Sequence, residues 1–157
     1  MPAGYDLAIS NPPYFKLPGT DSRATAASSI VHGQPNVYAL FMSLTAALLA
    51  PSGVMVTITP RSFATGDYFR RFREHFFKTV APEAIHLFHS RKSAFRSDEV
   101  LQENMILRSR RTVAKPTSRV LITTSHGAED LSRPLRHKAT LRSVVDPASP
   151  GAILSIP

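Results

Sequence analysis

Residues 5–14 read Tyr-Asp-Leu-Ala-Ile-Ser-Asn-Pro-Pro-Tyr, and this stretch is the most informative part of the sequence. Its first six residues are short and mostly apolar, which predicts a buried β-strand at Tyr5–Ser10. The next four begin with asparagine and two prolines, which favour a turn at the end of the strand. Such a tetrapeptide arises by chance in a chain of this length with a probability on the order of one in a thousand. The stretch therefore predicts a strand that leads into a rigid turn, with either a purely structural role or chemistry at the strand end.

The composition of this turn suits a reaction at an amino group attached to an aromatic ring. The lone pair of such a nitrogen is delocalised into the ring, so catalysis needs acceptors that hold its N–H groups, and Asn11 supplies a side-chain carbonyl oxygen. Pro12 and Pro13 have no N–H, so the turn is stiff and the Pro12 carbonyl can face the site without a competing donor. Tyr14 offers a flat ring, on which a stacked base gains ~1–3 kcal/mol.

Helices and strands alternate after this turn. A mobile loop is predicted over residues 16–34, followed by a helix that Asn36 caps and that Pro51 and Gly53 end. The spacing of its apolar residues predicts a core-facing side formed by Val37, Leu40, Phe41, Leu44 and Leu48. Residues 54–59 are nearly all apolar, which indicates a strand covered on both faces.

A second helix is predicted with Asp67 as its N-cap and Pro82 as its end. Its predicted buried side consists of Phe69, Phe72, Phe76 and Val80. Its predicted water-facing side includes Arg70, Arg71 and Arg73. Short strands are predicted at 84–88, 104–108 and 119–124. This alternation predicts an α/β fold with a partial doubly wound, Rossmann-like sheet, mostly parallel with late antiparallel strands, in which ligands bind beyond the carboxyl ends of strands.

Charge is distributed unevenly along the 157 residues, a length sufficient for one domain with its own core. The formal net charge is +8, and residues 61–119 alone carry +7. A segment this basic suits a surface that faces a polyanion, and a solvated surface that merely keeps the protein soluble is the equally compatible alternative. We therefore expect nucleic acid as the leading partner class.

Several classes of protein and site are excluded. The chain has no cysteine, which removes disulfide frameworks, thiolate zinc sites and cysteine nucleophiles. Its longest apolar stretch, residues 37–50, is shorter than the roughly 20 residues that cross a bilayer. The first residues lack a signal-peptide pattern, so we expect a cytoplasmic protein with no membrane partner. His86 and His89 lie three apart on a predicted strand and would face opposite sides, so we expect no metal site.

Four further segments add to the Asn-Pro-Pro-Tyr turn. They are Asn-Val-Tyr-Ala-Leu-Phe at 36–41, Leu-Ala-Pro-Ser-Gly-Val at 49–54, Thr-Pro-Arg-Ser-Phe at 59–63 and Val-Leu-Gln-Glu-Asn-Met-Ile-Leu at 100–107. With the turn, they make residues 5–110 resemble the S-adenosylmethionine-dependent N(6)-adenine DNA methyltransferases of restriction-modification systems.

This resemblance implies a role for individual residues. Asn11, Pro12, Pro13 and Tyr14 match the family's catalytic turn, and Asn11 would also touch the S-adenosylmethionine cofactor. Phe95 matches an aromatic residue that contacts an extruded adenine opposite Tyr14, which implies base flipping of double-stranded DNA. An ordinary core position is the alternative for Phe95. The candidate contacts to the DNA backbone, for which a solvated face is the alternative, are Lys16, Arg61, Arg91, Lys92 and Arg96.

The resemblance also implies that part of a catalytic domain is missing. The family's glycine-rich cofactor loop would precede Tyr5, and the isolated glycines of this chain do not replace it. We therefore expect residues 1–115 to form the C-terminal half of a methyltransferase catalytic domain that lacks its N-terminal, cofactor-binding half. Residues 116–157 are expected to be a connector toward an absent target-recognition domain. An exposed sheet edge could support self-association.

Two other functions remain compatible with the sequence. The same tetrapeptide serves methyltransferases that modify a guanine amino group in ribosomal RNA or a glutamine side-chain amide in a protein. Alternatively, the chain is a truncated module that binds nucleic acid electrostatically and performs no chemistry. In either case the isolated chain is expected to be inactive and to bind the cofactor weakly or not at all.

Overall fold

The computed structural model describes residues 4–31, 35–88, 103–127, 129–145 and 150–156. Within them the strands are Tyr5–Ser10 (β1), Leu49–Pro60 (β2), Ala81–Phe88 (β3), Asn104–Arg110 (β4), Arg119–Ser125 (β5) and Leu135–Thr140 (β6). The helices are Ser22–Ala26 (α1), Val37–Leu48 (α2), Arg70–Thr79 (α3) and Leu141–Val144 (α4), and 3₁₀ turns lie at Arg61–Phe63 and Asp67–Phe69. All the predicted strands and both predicted helices are present.

The six strands form one sheet in the order β1-β2-β4-β3-β5-β6. β1 is parallel to β2 and β3 is parallel to β5, whereas β4 and β6 are antiparallel to their neighbours. Four strands therefore run in one direction and place their carboxyl ends at the same edge of the sheet, which is called the carboxyl edge below. The predicted fold class, a mostly parallel sheet with late antiparallel strands, is confirmed.

The core lies on one face of the sheet. Because side chains alternate across a strand, Met55 and its neighbours at every second position are buried with side chains of α2 and α3. The intervening residues Val54, Val56 and Ile58 are only half-buried. The prediction that this strand is covered on both faces is therefore wrong for the described residues, since their helices pack on one face. We call the other side the open face.

β1 lies at one edge of the sheet and is not the buried strand that its composition predicts. Tyr5, Leu7 and Ile9 are 66%, 59% and 74% exposed. These side chains are exposed because β1 has a neighbouring strand on one side only and because they lie on the open face. Gly53 lets β1 approach β2 closely, because a Cβ there would lie 2.7 Å from the Tyr5 carbonyl oxygen.

The second helical segment of the chain, α2, starts after Asn36 as predicted but ends at Leu48, because Pro51 and Gly53 lie within β2. Of its predicted core-facing residues, Val37 is buried and Leu40 is half-buried, but the other three are turned outward. Phe41, Leu44 and Leu48, which were assigned to the core, are 47%, 60% and 48% exposed. The buried side instead consists of Val37, Tyr38, Ala39, Met42, Ser43 and Ala46. Periodicity could not choose between two sides that are both apolar, and small alanines allow the closer approach to the sheet and to α3.

The predicted loop at residues 16–34 contains the short helix α1. The Asp21 carboxylate begins it by accepting a hydrogen bond of 2.9 Å from the Arg23 N–H. Bonds from Arg23 also lower the pKa of Asp21 to about 2. Ala24 is buried, so the described part of this segment is anchored.

The third helix, α3, differs from the prediction at both of its ends. Asp67 does not cap it but begins a preceding 3₁₀ turn, and Phe69 is the N-cap. Pro82 lies within β3 and does not end the helix, which stops at Thr79. The predicted side of four apolar residues is buried, as expected.

Arg73 was expected to face water but is only 1% exposed. Its guanidinium donates hydrogen bonds to the carbonyl oxygens of Gly151 (2.7 Å), Phe63 (2.9 Å) and Gly66 (2.7 Å). These three acceptors replace water around the buried charge, which is what allows an arginine to occupy the interior. Burial nevertheless lowers the pKa of Arg73.

The segment at 116–157, expected to be a connector, continues the same sheet where it is described. β5 pairs with β3 and β6 pairs with β5. Side chains from its later part lie in the same core, namely Leu141, Val144, Val145, Ala152 and Leu154. The polar composition after Ser125 reflects a sheet edge that faces solvent.

None of the helices in the described ranges is long and apolar enough to cross a membrane.

Candidate active site

The Asn-Pro-Pro-Tyr turn lies at the carboxyl edge, directly after the last residue of β1. Asn11 and Pro13 are exposed, Pro12 is buried and Tyr14 is half-buried. The buried proline anchors the turn while the asparagine side chain faces solvent, so the amide is accessible to a ligand.

The Tyr14 hydroxyl connects the turn to the neighbouring strand. It donates toward the Asn11 Oδ1 atom at 3.0 Å and toward the main-chain carbonyl oxygen of Ile58, in β2, at 2.9 Å. Burial raises the pKa of Tyr14, so the hydroxyl keeps its proton and remains a donor at neutral pH. The contact orients the Asn11 amide, with its oxygen toward the turn.

The Tyr14 ring stands edge-on to Tyr38 of α2, with centroids 6.1 Å apart and planes at 88°. The Tyr38 hydroxyl lies 2.9 Å from the Ser62 Oγ atom, just beyond the end of β2. Burial, as the largest effect, raises the pKa of Tyr38. Sequence reasoning assigned no site role to Tyr38 or Ser62, although both lie in segments that matched the family pattern and could have been found there.

The chain after the turn is fixed to the start of α2. Val37 donates its N–H to the Phe15 carbonyl oxygen at 2.8 Å, and Leu17 donates to that of Pro35 at 2.9 Å. These bonds hold the end of the turn in place, so the position of Tyr14 does not depend on its side-chain contacts alone.

The remaining predicted site residues lie just after this turn, at the end of β2 or outside the described ranges. Lys16 is exposed and its Nζ atom lies 5.4 Å from the centre of the Tyr68 ring. Arg61 follows β2 and forms an ion pair of 3.5 Å with Glu103. Four predicted residues lie outside the described ranges, namely Arg91, Lys92, Phe95 and Arg96.

A cleft of about 710 Å³ opens beside the end of β2. Arg61, Ser62 and Thr65 line one side, and residues 153–156 line another. Ser62 belongs both to this cleft and to the contact with Tyr38, so the cleft and the turn are neighbours at the carboxyl edge. Leu154 holds the C-terminal wall in place by donating its N–H to the Ala64 carbonyl oxygen at 2.9 Å.

We expect Tyr14→Phe to destabilise the chain slightly and to leave the ring in place. The variant loses the hydroxyl that bonds the Ile58 carbonyl, and one such bond is worth about 1 kcal/mol. Thermal unfolding should show a fall in Tm of a few degrees. Tyr5→Phe, at an exposed position of β1, is the matched control and should not change Tm. An unchanged Tm in Tyr14→Phe would show that the hydroxyl does not secure the turn.

A second polar cluster lies on the open face, around His86 of β3. Its Nδ1 atom is 2.8 Å from the Thr123 Oγ1 atom and its Nε2 atom is 2.9 Å from the Ser125 Oγ atom. Each hydroxyl also has a carbonyl acceptor, Gly127 at 2.9 Å for Ser125 and Ile85 at 3.4 Å for Thr123. Both ring nitrogens of His86 therefore have a hydrogen-bonding partner in the folded chain.

Stability is expected to fall as the pH is lowered below the ordinary histidine pKa of about 6.5. Burial lowers the pKa of His86, so below that pH the unfolded chain binds a proton that the folded chain does not, until the folded pKa is reached. Denaturant unfolding from pH 7 to 5 should show this slope, reduced in His86→Gln and retained in the exposed-site control His75→Gln. Asp21 and Asp130, each with a pKa of about 2, titrate well below this window. Equal slopes in all three proteins would contradict the assignment to His86.

In the described part of the chain, no group of three or more histidine, aspartate or glutamate side chains is placed to hold a metal ion.

Two curated proteins are similar in sequence. The Type II methyltransferase M.BsuBI of Bacillus subtilis is 38% identical over 117 residues, covering 74% of this chain and 23% of that protein. The Type II methyltransferase M.PstI of Providencia stuartii is 41% identical over 102 residues, covering 65% of this chain and 20% of that protein. The chain thus spans about a fifth of the length of these relatives.

The fold and a family match agree with this similarity. A solved structure from Listeria monocytogenes, described as a class I S-adenosylmethionine-dependent methyltransferase, aligns with a TM-score of 0.64 and 19% identity, over 83% of this chain and 39% of that one. At this identity the likeness concerns the fold alone. The Eco57I restriction-modification methylase model matches residues 1–95, more than half of the chain. On that match, the chain belongs to the Eco57I restriction-modification methylase family.

Proposed function

We propose that this chain forms part of a catalytic domain that methylates the exocyclic amino group of a flipped adenine at specific sites in double-stranded DNA. The observation that carries the proposal is the exposed Asn11 amide at the carboxyl edge, with its oxygen oriented by the Tyr14 hydroxyl at 3.0 Å. Ligands of open α/β sheets bind at this edge. Membership of a restriction-modification methylase family supports the reaction class.

The proposed chemistry depends on hydrogen-bond acceptors that are fixed before the substrate arrives. Asn11 Oδ1 accepts an N–H of the adenine amino group, which withdraws the nitrogen lone pair from the ring and directs it outward. Pro12 and Pro13 cannot donate a main-chain hydrogen bond, so no N–H of theirs competes for these acceptors. The turn is tied to β2 through Tyr14, so little reorganisation is needed during reaction.

S-adenosylmethionine is the proposed cofactor, and when bound it supplies an electrophilic methyl group. The described residues fit only the side of the site that receives the amine: Asn11 offers an accessible carbonyl oxygen, and a glycine-rich loop after a strand is not found among them. Residues 1–115 therefore act, in this proposal, as the C-terminal half of the catalytic domain. We infer that the isolated chain binds the cofactor weakly and is inactive.

The DNA substrate is proposed from the ring of Tyr14 and from charge. Half-buried Tyr14 presents a fixed aromatic surface beside Asn11, on which a planar base can stack. Phe95 is the proposed second aromatic contact, and the proposed backbone contacts are Lys16, Arg61, Arg91, Lys92 and Arg96. Residues 116–157 are proposed to lead toward a target-recognition domain. Because the proposed substrate is cellular DNA, we propose a cytoplasmic location.

The experiment that tests the function uses the complete polypeptide that carries this chain. It is incubated with methyl-labelled S-adenosylmethionine and, in separate reactions, with duplex DNA, ribosomal RNA or protein. We expect label in duplex DNA, recovered as N(6)-methyladenine after hydrolysis. Label in RNA guanine or in a glutamine amide would replace the proposed substrate. DNA binding with no transfer to any acceptor would favour the non-catalytic module.

Self-association through the edge strand β1 is proposed for the isolated chain. Three apolar side chains of this strand are more than half exposed, and no other strand of the described residues pairs with its outer edge. Unprotected edges of this kind pair with further strands, here those of a second copy. Sedimentation equilibrium should show a dimer that Leu7→Lys converts to a monomer, with Leu135→Lys on β6 as the control. A monomeric parent chain would contradict the proposal.

A further inference from the structure

The sheet edge opposite β1 carries a row of cations. On β5 and β6, Arg119 pairs in register with Thr140, Leu121 with Lys138 and Thr123 with Arg136. Paired residues share a face, so the side chains of Arg119, Arg136 and Lys138 all lie on the open face. All three are exposed. We call these three residues the β6 basic row.

No carboxylate of the described residues pairs with the row, in contrast to the arginines of β4 on the same face. Arg108 and Arg110 of β4 both bond to the Glu83 carboxylate, which neutralises part of their charge. By contrast, the described residues provide no ion pair or side-chain hydrogen bond for any member of the basic row. Of the nearby acids, Asp130 is already held by the N–H groups of His126 and Gly127.

The row begins at the same edge of the sheet as the Asn-Pro-Pro-Tyr turn. Arg136 pairs with Thr123 near the carboxyl end of β5, which is parallel to β3, and so lies toward the carboxyl edge. β6 is five strands away from β1, a lateral distance of about 24 Å at ~4.8 Å per strand. This distance corresponds to roughly seven base pairs of duplex at 3.4 Å each. One duplex can therefore reach both places.

We propose that the β6 basic row binds phosphates of the DNA duplex and so sets its direction across the carboxyl edge. The proposal rests on the proposed DNA substrate and adds a surface that the sequence did not indicate. Unpaired cations on a charged edge strand also discourage strand pairing. Phosphate binding can be distinguished from this protective role by its salt dependence. Each phosphate contact releases condensed counterions, so the affinity for DNA falls more steeply as salt is added.

The test measures binding of a fluorescent 20-base-pair duplex of arbitrary sequence to the complete polypeptide, from 0.05 to 0.5 M salt. Arg136→Gln/Lys138→Gln is expected to reduce the slope of log affinity against log salt by about 1.8, since each phosphate contact contributes ~0.9. At 0.1 M salt its affinity should be more than tenfold lower. Arg70→Gln, an exposed arginine of α3 paired with Glu74, is the matched control and should leave the slope unchanged.

Each outcome decides the proposal. Duplex binding with the parental slope in the double variant, or an equal loss in Arg70→Gln, overturns the basic row and leaves the DNA substrate intact. Absence of salt-dependent duplex binding by the parent protein overturns both. Equal loss of binding to duplex and to polyglutamate would indicate an acidic protein surface as the partner. The Tm of each variant should match that of the parent protein. A loss of DNA binding then reflects the lost charge and not a loss of folded protein.

Discussion

Asn11→Ala in the complete polypeptide is expected to reduce methyl transfer to adenine by about 10²–10³-fold, the usual effect of removing one preorganised polar group from a transition state. The reason is that alanine leaves an N–H of the reacting amine without its side-chain acceptor while Pro12 and Pro13 keep the turn in shape. The measurement is the rate of incorporation of labelled methyl groups into duplex DNA at saturating substrate.

Two controls separate this loss from a folding defect. Asn36→Ala makes the same replacement at the start of α2, where the side chain forms no cap hydrogen bond, and it should retain transfer. The Tm of Asn11→Ala should fall by no more than a few degrees, because Tyr14 keeps its bond to Ile58. Transfer within a few-fold of the parent rate in Asn11→Ala would refute the acceptor role.

Arg73→Met is expected to have the largest effect on stability, lowering the free energy of unfolding by about 3–5 kcal/mol. Hydrogen bonds from charged groups are worth ~1.5–3 kcal/mol each, and this substitution removes three and leaves three carbonyl oxygens without their donor. Part of that loss is offset because methionine buries no charge. At ~2–4 °C per kcal/mol for a chain of this size, Tm should fall by roughly 6–20 °C.

The matched control for Arg73→Met is Arg70→Met on the same helix. Arg70 is 59% exposed and pairs with Glu74 at the surface, where such pairs contribute ~0–1 kcal/mol. Differential scanning calorimetry of both variants gives the comparison. If the two lose the same amount, the three carbonyl contacts of Arg73 do not contribute to stability as proposed.

The longer elements of the fold were predictable because they carry a local signal: the β-branched run before Pro60 indicates a strand, and the three- and four-residue spacing of phenylalanines after Asp67 indicates a helix. Their boundaries were not, since β2 already begins at Leu49 and α3 ends at Thr79, and β6 lies in a polar segment that carries no strand signal. Which side of α2 is buried was not predictable, since both sides are apolar and the choice is made by how closely Ala39 and Ala46 allow the helix to approach the sheet. Hydrophobicity alone would place Phe41 and Leu44 inside.

Long-range polar contacts account for most of what the sequence did not reveal. Arg73 resembles its exposed neighbours in sequence, and only the folded chain brings Gly151 within 2.7 Å of it. The same holds at the candidate site: Asn11 and Tyr14 were found from their local motif, whereas the Ile58 carbonyl, 44 residues further along, was not. A sequence motif reveals site residues that are close together in the chain. Contact partners that are distant in the chain become visible only when the sheet brings them together.

The Tyr14 hydroxyl has one hydrogen and two acceptors at nearly equal distance, so its bond is a three-centre one. When an incoming amine donates to the Asn11 amide oxygen, the shared hydrogen can pass wholly to the main chain of β2. In the proposed reaction, this exchange of partners leaves no hydrogen-bonding group of the turn without a partner, because the Ile58 carbonyl oxygen still accepts from Tyr14.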